Sequence, residues 1–379
     1  MRIAVLWTGL SGYMNACLKE LSERQDIELF ISYECAVEDA PYDESQFAWI
    51  PNRLPWRTYD DLKSLITRLE EYQPDIMVLP SWHVSPYRRA ARKFATRCWR
   101  VMIMDNPWKG SFRQRFGTLL SPYYVKPITD VVWLPGERQA IFARKLGFSQ
   151  SAILRGSFSC DFPAFAAVHC QRLESGQALP HRFLFVGRFV EAKCIAKLVE
   201  AYSIYRRCAA EPWPLICCGS GPLKSCLENK EGIQLDGFIQ PENMPHVLSS
   251  AGCLILPSRF EPWAVVVHEA ASAGRLILAS ENVGAITHLL QPGYNGFIFD
   301  SNDVGELVTL MCRVSVMSDS QLHQMSLASH LLSNQFSPAR WANTLLDSFH
   351  ARSAGWKSGS LSKTRMDVAD ASDQGSLGY

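Results

Sequence analysis

The chain has 379 residues, of which 47% are hydrophobic and 20% charged, and its formal net charge is +1. This length suggests two domains, and the composition gives a globular chain with material for two cores. The near-zero charge argues against wholesale nucleic-acid binding, and no apolar run approaches transmembrane length.

The twelve cysteines form no CxxC pair, and several lie in apolar runs. They read as reduced thiols of a cytoplasmic protein rather than as disulfides or a zinc site. Residues 3–6 are too short for the apolar stretch of a signal peptide. Residues 2–7 read as a strand, 8–12 as a tight loop, 13–24 as an amphipathic helix and 27–32 as a second strand ending near Glu34. That β-loop-α-β order predicts a parallel, doubly wound sheet. Gly9, Gly12 and Glu34 suggest a dinucleotide site, but no G-x-G-x-x-G is present, so the match is weak. The two glycines mark either a close approach to the backbone or a tight turn.

A polar-faced helix is expected over 58–73, then a strand over 75–79 that leads to Pro80, Ser81, Trp82 and His83. Residues 85–97 carry four Arg and one Lys on a helix. They read first as a solvated face, and second as a contact for an anionic acceptor or a membrane surface. A strand over 100–104 runs into Asp105. Ligands of doubly wound sheets meet the loops at the carboxyl ends of strands, which places His83 and Asp105 at a cleft. A His in such a loop is still more often a structural hydrogen-bonder than a catalyst. Strands over 130–134 and 152–154 flank a helix over 136–146, and the Gly-, Pro- and Ser-containing stretch 155–180 reads as linker.

The second half repeats the architecture. A strand over 182–186 leads through Gly187, Arg188 and Lys193 into a helix reaching about residue 207. Two cations beside helix-start N–H groups suit a diphosphate, although on this feature alone a pair of surface charges is the better reading. A strand over 215–218 ends in Gly219, Ser220, Gly221 and Pro222, a turn against which a nucleotide could pack. The stretch 257–274 is the most informative. Pro262 disfavours helical geometry at Glu261, so this carboxylate sits on a loop before a helix over 263–273 that Gly274 closes. Glu269 lies inside that apolar helix, where an unpaired carboxylate costs several kcal/mol. Two acids eight residues apart, with helix-start N–H groups between them, suit a sugar bearing a phosphate. A dipole-stabilised Glu and a Glu paired with a structural Arg are the plain alternatives. Helices are expected over 303–317, 320–333 and 336–350.

Several segments together resemble the retaining glycosyltransferases of family 4. They are Gly187-Arg188 with Lys193, residues 219–222, residues 237–242, the pair Glu261 and Glu269, and residues 293–296. The resemblance covers roughly residues 182–300 and implies the GT-B fold, two Rossmann-like doubly wound domains facing across a cleft. It further implies a metal-independent enzyme without a cofactor. Its donor is a nucleoside-diphosphate sugar, and its acceptor is a glycan or lipid-linked glycan held mainly by the N-terminal domain. Arg188 and Lys193 would clamp the diphosphate, Glu261 would grip the sugar hydroxyls and Glu269 the ribose hydroxyls. Gly187, Gly219, Gly221 and Pro222 would surround the donor, and backbone groups of Trp263, Ala264, Val265 and Val266 would contact the sugar and its phosphate. His83 would stand near the sugar, with Gly9, Gly12 and Asp105 on cleft loops. The family usually has Gly where this chain has Ala264, a change that could narrow the pocket, alter donor choice or lower activity. A nucleotide-sugar epimerase and an inactive nucleotide-sugar-binding protein are the alternatives. The expected layout is an N-terminal domain over 1–165, a linker over 166–181 and a donor domain over 182–335, then a helix over 336–352 and a disordered tail over 353–379. The expected location is cytoplasmic, with peripheral contact at the inner face of a membrane left open.

Overall fold

The computed structural model describes residues 1–36 and 41–363, with side chains to residue 352. Residues 364–379 of the expected tail lie outside the described residues.

Seven parallel strands form the first sheet: β1 (Arg2–Leu6), β2 (Glu28–Glu34), β3 (Asn52–Trp56), β4 (Ile76–Pro80), β5 (Trp99–Ile103), β6 (Val131–Leu134) and β7 (Ile153–Arg155). Their order across the sheet is β3-β2-β1-β4-β5-β6-β7. Six parallel strands form the second: β8 (Phe183–Val186), β9 (Leu215–Cys218), β10 (Ile233–Asp236), β11 (Cys253–Leu256), β12 (Leu276–Ser280) and β13 (Gly296–Phe299). Their order is β10-β9-β8-β11-β12-β13. The central strands β1, β4, β5, β8, β9, β11 and β12 are nearly continuous apolar runs because helices cover both faces. In each sheet the order reverses once, between β1 and β4 and between β8 and β11, and a crevice opens at the carboxyl ends there.

Several expectations need correction. The linker stretch contains a helix, Phe162–Glu174. The Asp161 carboxylate caps it by accepting the Ala164 N–H, Pro163 stands in its first turn, and Phe165 and Val168 join the core of the second domain. The expected helix over 58–73 begins only at Leu65, because the Asp61 carboxylate accepts the Arg57 and Thr58 N–H groups and holds a turn instead. Strand β3 and the helix Phe112–Tyr124 are additional. β3 is an edge strand, where Pro55 is tolerated.

The last helix, Pro338–Lys363, extends past residue 352 and leaves the second domain to pack on the first. Trp341 stacks on Trp133 of β6 with centroids 4.7 Å apart, and its indole N–H donates to the Ser157 carbonyl at 2.9 Å. Trp341, Ala342 and Leu345 share one core with Ile3, Val5 and Trp133. The chain therefore passes between the domains twice. Gln139 and Arg138 of the first domain donate to the Pro262 and Glu281 carbonyls of the second, at 2.7 and 2.8 Å. None of the described helices is long and apolar enough to cross a membrane.

Candidate active site

A cavity of about 370 Å³ opens at the order reversal of the second sheet. Its walls include Gly187, Arg188 and Lys193 after β8, Gly219 after β9, and Glu261, Ala264, Val265, Val266 and Glu269 after β11. Nine of the residues expected around a donor thus meet in one place, although they are spread over more than eighty positions of sequence.

Lys193 and Glu261 form an ion pair at the cavity wall, each side chain 16% exposed. Glu261 sits on the loop, as Pro262 requires. Its N–H donates to the Asn282 carbonyl at 3.3 Å, and its own carbonyl accepts the Gly284 N–H at 2.9 Å. This β-bridge fixes the carboxylate's root. Arg188 is exposed at the mouth and, among the described residues, makes no ion pair. The cavity thus holds one cation committed to a carboxylate and one that a ligand can engage without breaking a bond.

The helix Val265–Ser272 starts at the cavity wall, and the first N–H groups of any helix lack intrahelical acceptors. Gly274, at φ +70°, closes it with two C-terminal bonds, Gly274 N–H to the Ala271 carbonyl at 2.9 Å and Arg275 N–H to Ala270 at 2.8 Å. The start is less usual. Ala264 caps the helix at φ +78°, ψ +85°, a left-handed geometry that suits glycine and strains an L side chain. The chain thus keeps the glycine-type backbone here and adds a methyl at the cavity wall. Ala264→Gly should stabilise the protein by about 1 kcal/mol and enlarge the cavity, read as a raised Tm with donor affinity equal or higher. A lowered Tm would show that the left-handed turn is not strained.

Glu269 is half-buried and borders both this cavity and a neighbouring one lined by Asp161, Phe165 and Glu242, and among the described residues its carboxylate has no hydrogen-bond donor. Burial raises its pKa from 4.5 to about 7. Such an acid stands ready for a ligand that brings donors of its own.

A second cavity, of about 450 Å³, opens at the order reversal of the first sheet and shares Ser11, Tyr13 and Tyr42 with the first. Gly9, His83 and Asp105 line it. A Cβ on Gly9 would meet nothing, so its backbone faces open space. Gly12 differs: a Cβ there would come 2.5 Å from the Cβ of Pro241, so this glycine lets the two domains approach. Asp105 lies on the wall of the second cavity only. Burial raises its pKa, the nearby Glu261 charge adds to that, and His83 opposes it. His83 is exposed to the cavity.

Three expected residues stand apart. Gly221 and Pro222 do not line the cavity. A Cβ at 221 would come 2.7 Å from the Phe189 carbonyl, and one at 219 would overlap the Gly187 carbonyl. These glycines let two loops of the protein pack. The Trp263 side chain is buried beside Phe336 and His288, both with centroids 5.9 Å away, and so faces the core. Tyr13, Tyr42, Phe238 and Met244 line the cavity without having been anticipated. Tyr42 meets Phe238 edge-on at 5.1 Å across the domains, and Gln240 donates to the Pro41 carbonyl at 2.7 Å. Tyr13 and Met244 stand at the starts of helices and Tyr42 on a loop, with no motif to mark them, whereas Phe238 lies within the segment 237–242.

Residues 178–325 match the family model for glycosyl transferases group 1. Two curated proteins align with part of the chain. An uncharacterized glycosyltransferase of Methanocaldococcus jannaschii is 30% identical over 121 residues, which are 30% of this chain and 30% of that protein. The alpha-D-kanosaminyltransferase of Streptomyces kanamyceticus is 25% identical over 122 residues, 30% of this chain and 31% of its own length. The chain thus spans less than a third of the length of either. The likeness in three dimensions is broader. The crystal structure of Anabaena HepE in complex with UDP and glucose superposes with a TM-score of 0.69 at 14% identity, over 92% of this chain and 99% of that one. At that identity the likeness is one of fold. The chain is a two-domain GT-B protein whose residues 178–325 match the group 1 glycosyl transferases.

Proposed function

We propose that the protein is a retaining glycosyltransferase, moving a sugar from a nucleoside-diphosphate sugar to an acceptor hydroxyl. One observation carries this reading. A single cavity gathers two cations, the N–H groups of a helix start and two carboxylates at separate points of its wall. That set complements a ligand with an anionic middle and hydroxyl-bearing ends. The match of residues 178–325 to a glycosyltransferase family and the sugar-transferring relatives support it. HepE, which shares the fold, has been crystallised with UDP-glucose.

In this reading Arg188, Lys193 and the N–H groups near Val265 hold the diphosphate, so no metal ion is needed for that task. Glu261 accepts the sugar's hydroxyl hydrogens, and Glu269 those of the ribose. As the bond from the anomeric carbon to the phosphate oxygen breaks, its electron pair goes to that oxygen, where Lys193 and Arg188 stabilise the growing charge. The acceptor hydroxyl attacks from the same face and gives its proton to the departing phosphate, so configuration is retained. The acceptor enters through the second cavity, past Asp105 and His83. Meeting of the domains at Tyr42 and Phe238 would exclude water. The acceptor class we favour is a growing surface polysaccharide or a glycolipid. The described cysteines are free thiols, which fits a cytoplasmic location.

The test is a thermal-shift screen with UDP-, GDP-, ADP- and CMP-sugars and NAD as control. A ligand at a hundred times its dissociation constant adds about 2.7 kcal/mol of stability. A response to one nucleotide sugar supports the reading and names the base. A response to NAD alone, or to none, removes it. Conversion of the donor without acceptor would point to an epimerase, and tight binding without turnover to an inactive binder.

A further inference from the structure

The helix Phe112–Tyr124 carries its apolar residues on the wrong face for a surface helix. Phe112, Phe116, Leu119 and Tyr123 recur at i, i+4, i+7 and i+11, the period of one helix face. They are 90%, 64%, 73% and 78% exposed. The face turned to the protein is instead small or polar, with Gly117, Thr118 and the buried Ser121, whose hydroxyl donates to the Leu146 carbonyl at 2.8 Å. Six of the thirteen exposed large apolar side chains among the described residues sit on this one helix. An apolar stripe so placed marks a surface that another apolar phase covers.

The charges around it select the phase. Residues 106–129 contain Lys109, Arg113, Arg115 and Lys126 and no acid. The neighbouring helix Ser85–Lys93 adds Arg88, Arg89 and Arg92, again without an acid. The two helices are joined, since Arg88 stacks on the Tyr124 ring at 4.7 Å and Arg92 donates to the Tyr123 carbonyl at 3.1 Å. Aromatic and leucine side chains on one face with only cations beside them match an anionic lipid surface, with the helix lying in the interface. A helix of 13 residues is too short to span it.

We propose that the helix Phe112–Tyr124 docks this protein on an anionic lipid bilayer, its aromatic stripe in the headgroup region and the flanking arginines on the lipid phosphates. The basic helix Ser85–Lys93 takes the electrostatic part of the contact, and the helix Phe112–Tyr124 takes the apolar part. Docking stands apart from the reaction assigned to the cavities, although it would bring the loop after Asp105, seven residues before Phe112, close to the membrane plane.

Co-sedimentation of the full chain with vesicles tests this, without donor or acceptor. Binding is expected to vesicles of phosphatidylcholine mixed with phosphatidylglycerol, and not to phosphatidylcholine alone. Changing Phe112, Phe116, Leu119 and Tyr123 together to Ser should lower the partition coefficient by about thirtyfold or more, while Tm and nucleotide-sugar binding stay unchanged. Arg113→Gln with Arg115→Gln should lower it about fivefold for each charge removed and leave folding intact. Failure of the wild type to bind the anionic vesicles, or equal binding by both variants, would overturn the proposal. So would a dimer in solution that the serine variant dissociates, since the stripe would then be covered by a second copy. Donor binding measured separately keeps this outcome distinct from failure of the transferase reading.

Discussion

Lys193→Ala is expected to lower turnover by about 10²–10³-fold, as loss of a group aimed at developing charge does. Lys193 is held by Glu261 at the cavity wall. A donor placed in the cavity would take both partners, with the ammonium on the diphosphate and the carboxylate on the sugar. The phosphate gains charge as the anomeric bond breaks, so the ammonium interaction strengthens toward the transition state. The loss should therefore fall on kcat more than on donor affinity. Single-turnover transfer with saturating donor reads it directly. If Lys193 only anchored Glu261, the alanine variant would bind donor poorly and turn over normally at saturation. Removing the cation also leaves a half-buried carboxylate without its partner, so a lower Tm should accompany the kinetic loss.

The second large effect is the dependence of donor affinity on Glu269 and on pH. With its pKa raised to about 7, Glu269 is protonated in the folded chain at pH values where the unfolded chain has already released the proton. Its contribution to stability is therefore complete below about pH 4.5 and lost as pH rises through 7. Relative to Glu269→Gln, which cannot ionise, wild-type stability should fall by about 2–3 kcal/mol between those limits. Donor binding has the opposite sign, because ribose hydroxyls donate best to the ionised carboxylate. Affinity for a nucleotide sugar, whose phosphates do not titrate in this range, should be about tenfold lower at pH 6 than at pH 8. Glu269→Gln should flatten that profile and bind about a hundredfold more weakly at pH 8. Calorimetric titration of both proteins at two pH values checks it. A flat wild-type profile would mean that the carboxylate does not meet the ligand.

Much of this site was legible before the fold was seen, because its elements are backbone-determined. Pro262 placed Glu261 on a loop, Gly274 ended a helix, and the apolar strands ordered the loops at one edge of the sheet. What sequence reasoning missed depended on partners far along the chain. Gly221 looked made for a nucleotide, as Gly219 did, yet only Gly219 reaches the cavity, and the loop at Phe189 is what presses on Gly221. Trp263 stood beside the key residues in sequence and turns into the core in space. The helix Phe162–Glu174 did have a signal, Asp161 followed by Pro163, but its polar flanks outweighed it. The period of the stripe on Phe112–Tyr124 was also present, although periodicity does not say which side faces water. Tyr42 and Phe238 meet only when two domains come together, and no local pattern could reveal that.

The return of the last helix to the first domain changes what counts as a separable unit. The family match ends near residue 325, which invites cutting the protein into a donor half and an acceptor half. Such a cut would strip Trp341, Ala342 and Leu345 from the first sheet and leave Trp133 facing solvent. The amino-terminal half finishes its core only when residues 341–345 arrive, after the whole second domain. Synthesis order and folding order therefore differ in this chain. The first domain lacks this cover until the second one has been made. Poor recovery of any fragment that stops short of residue 345 is the expected result of this connectivity.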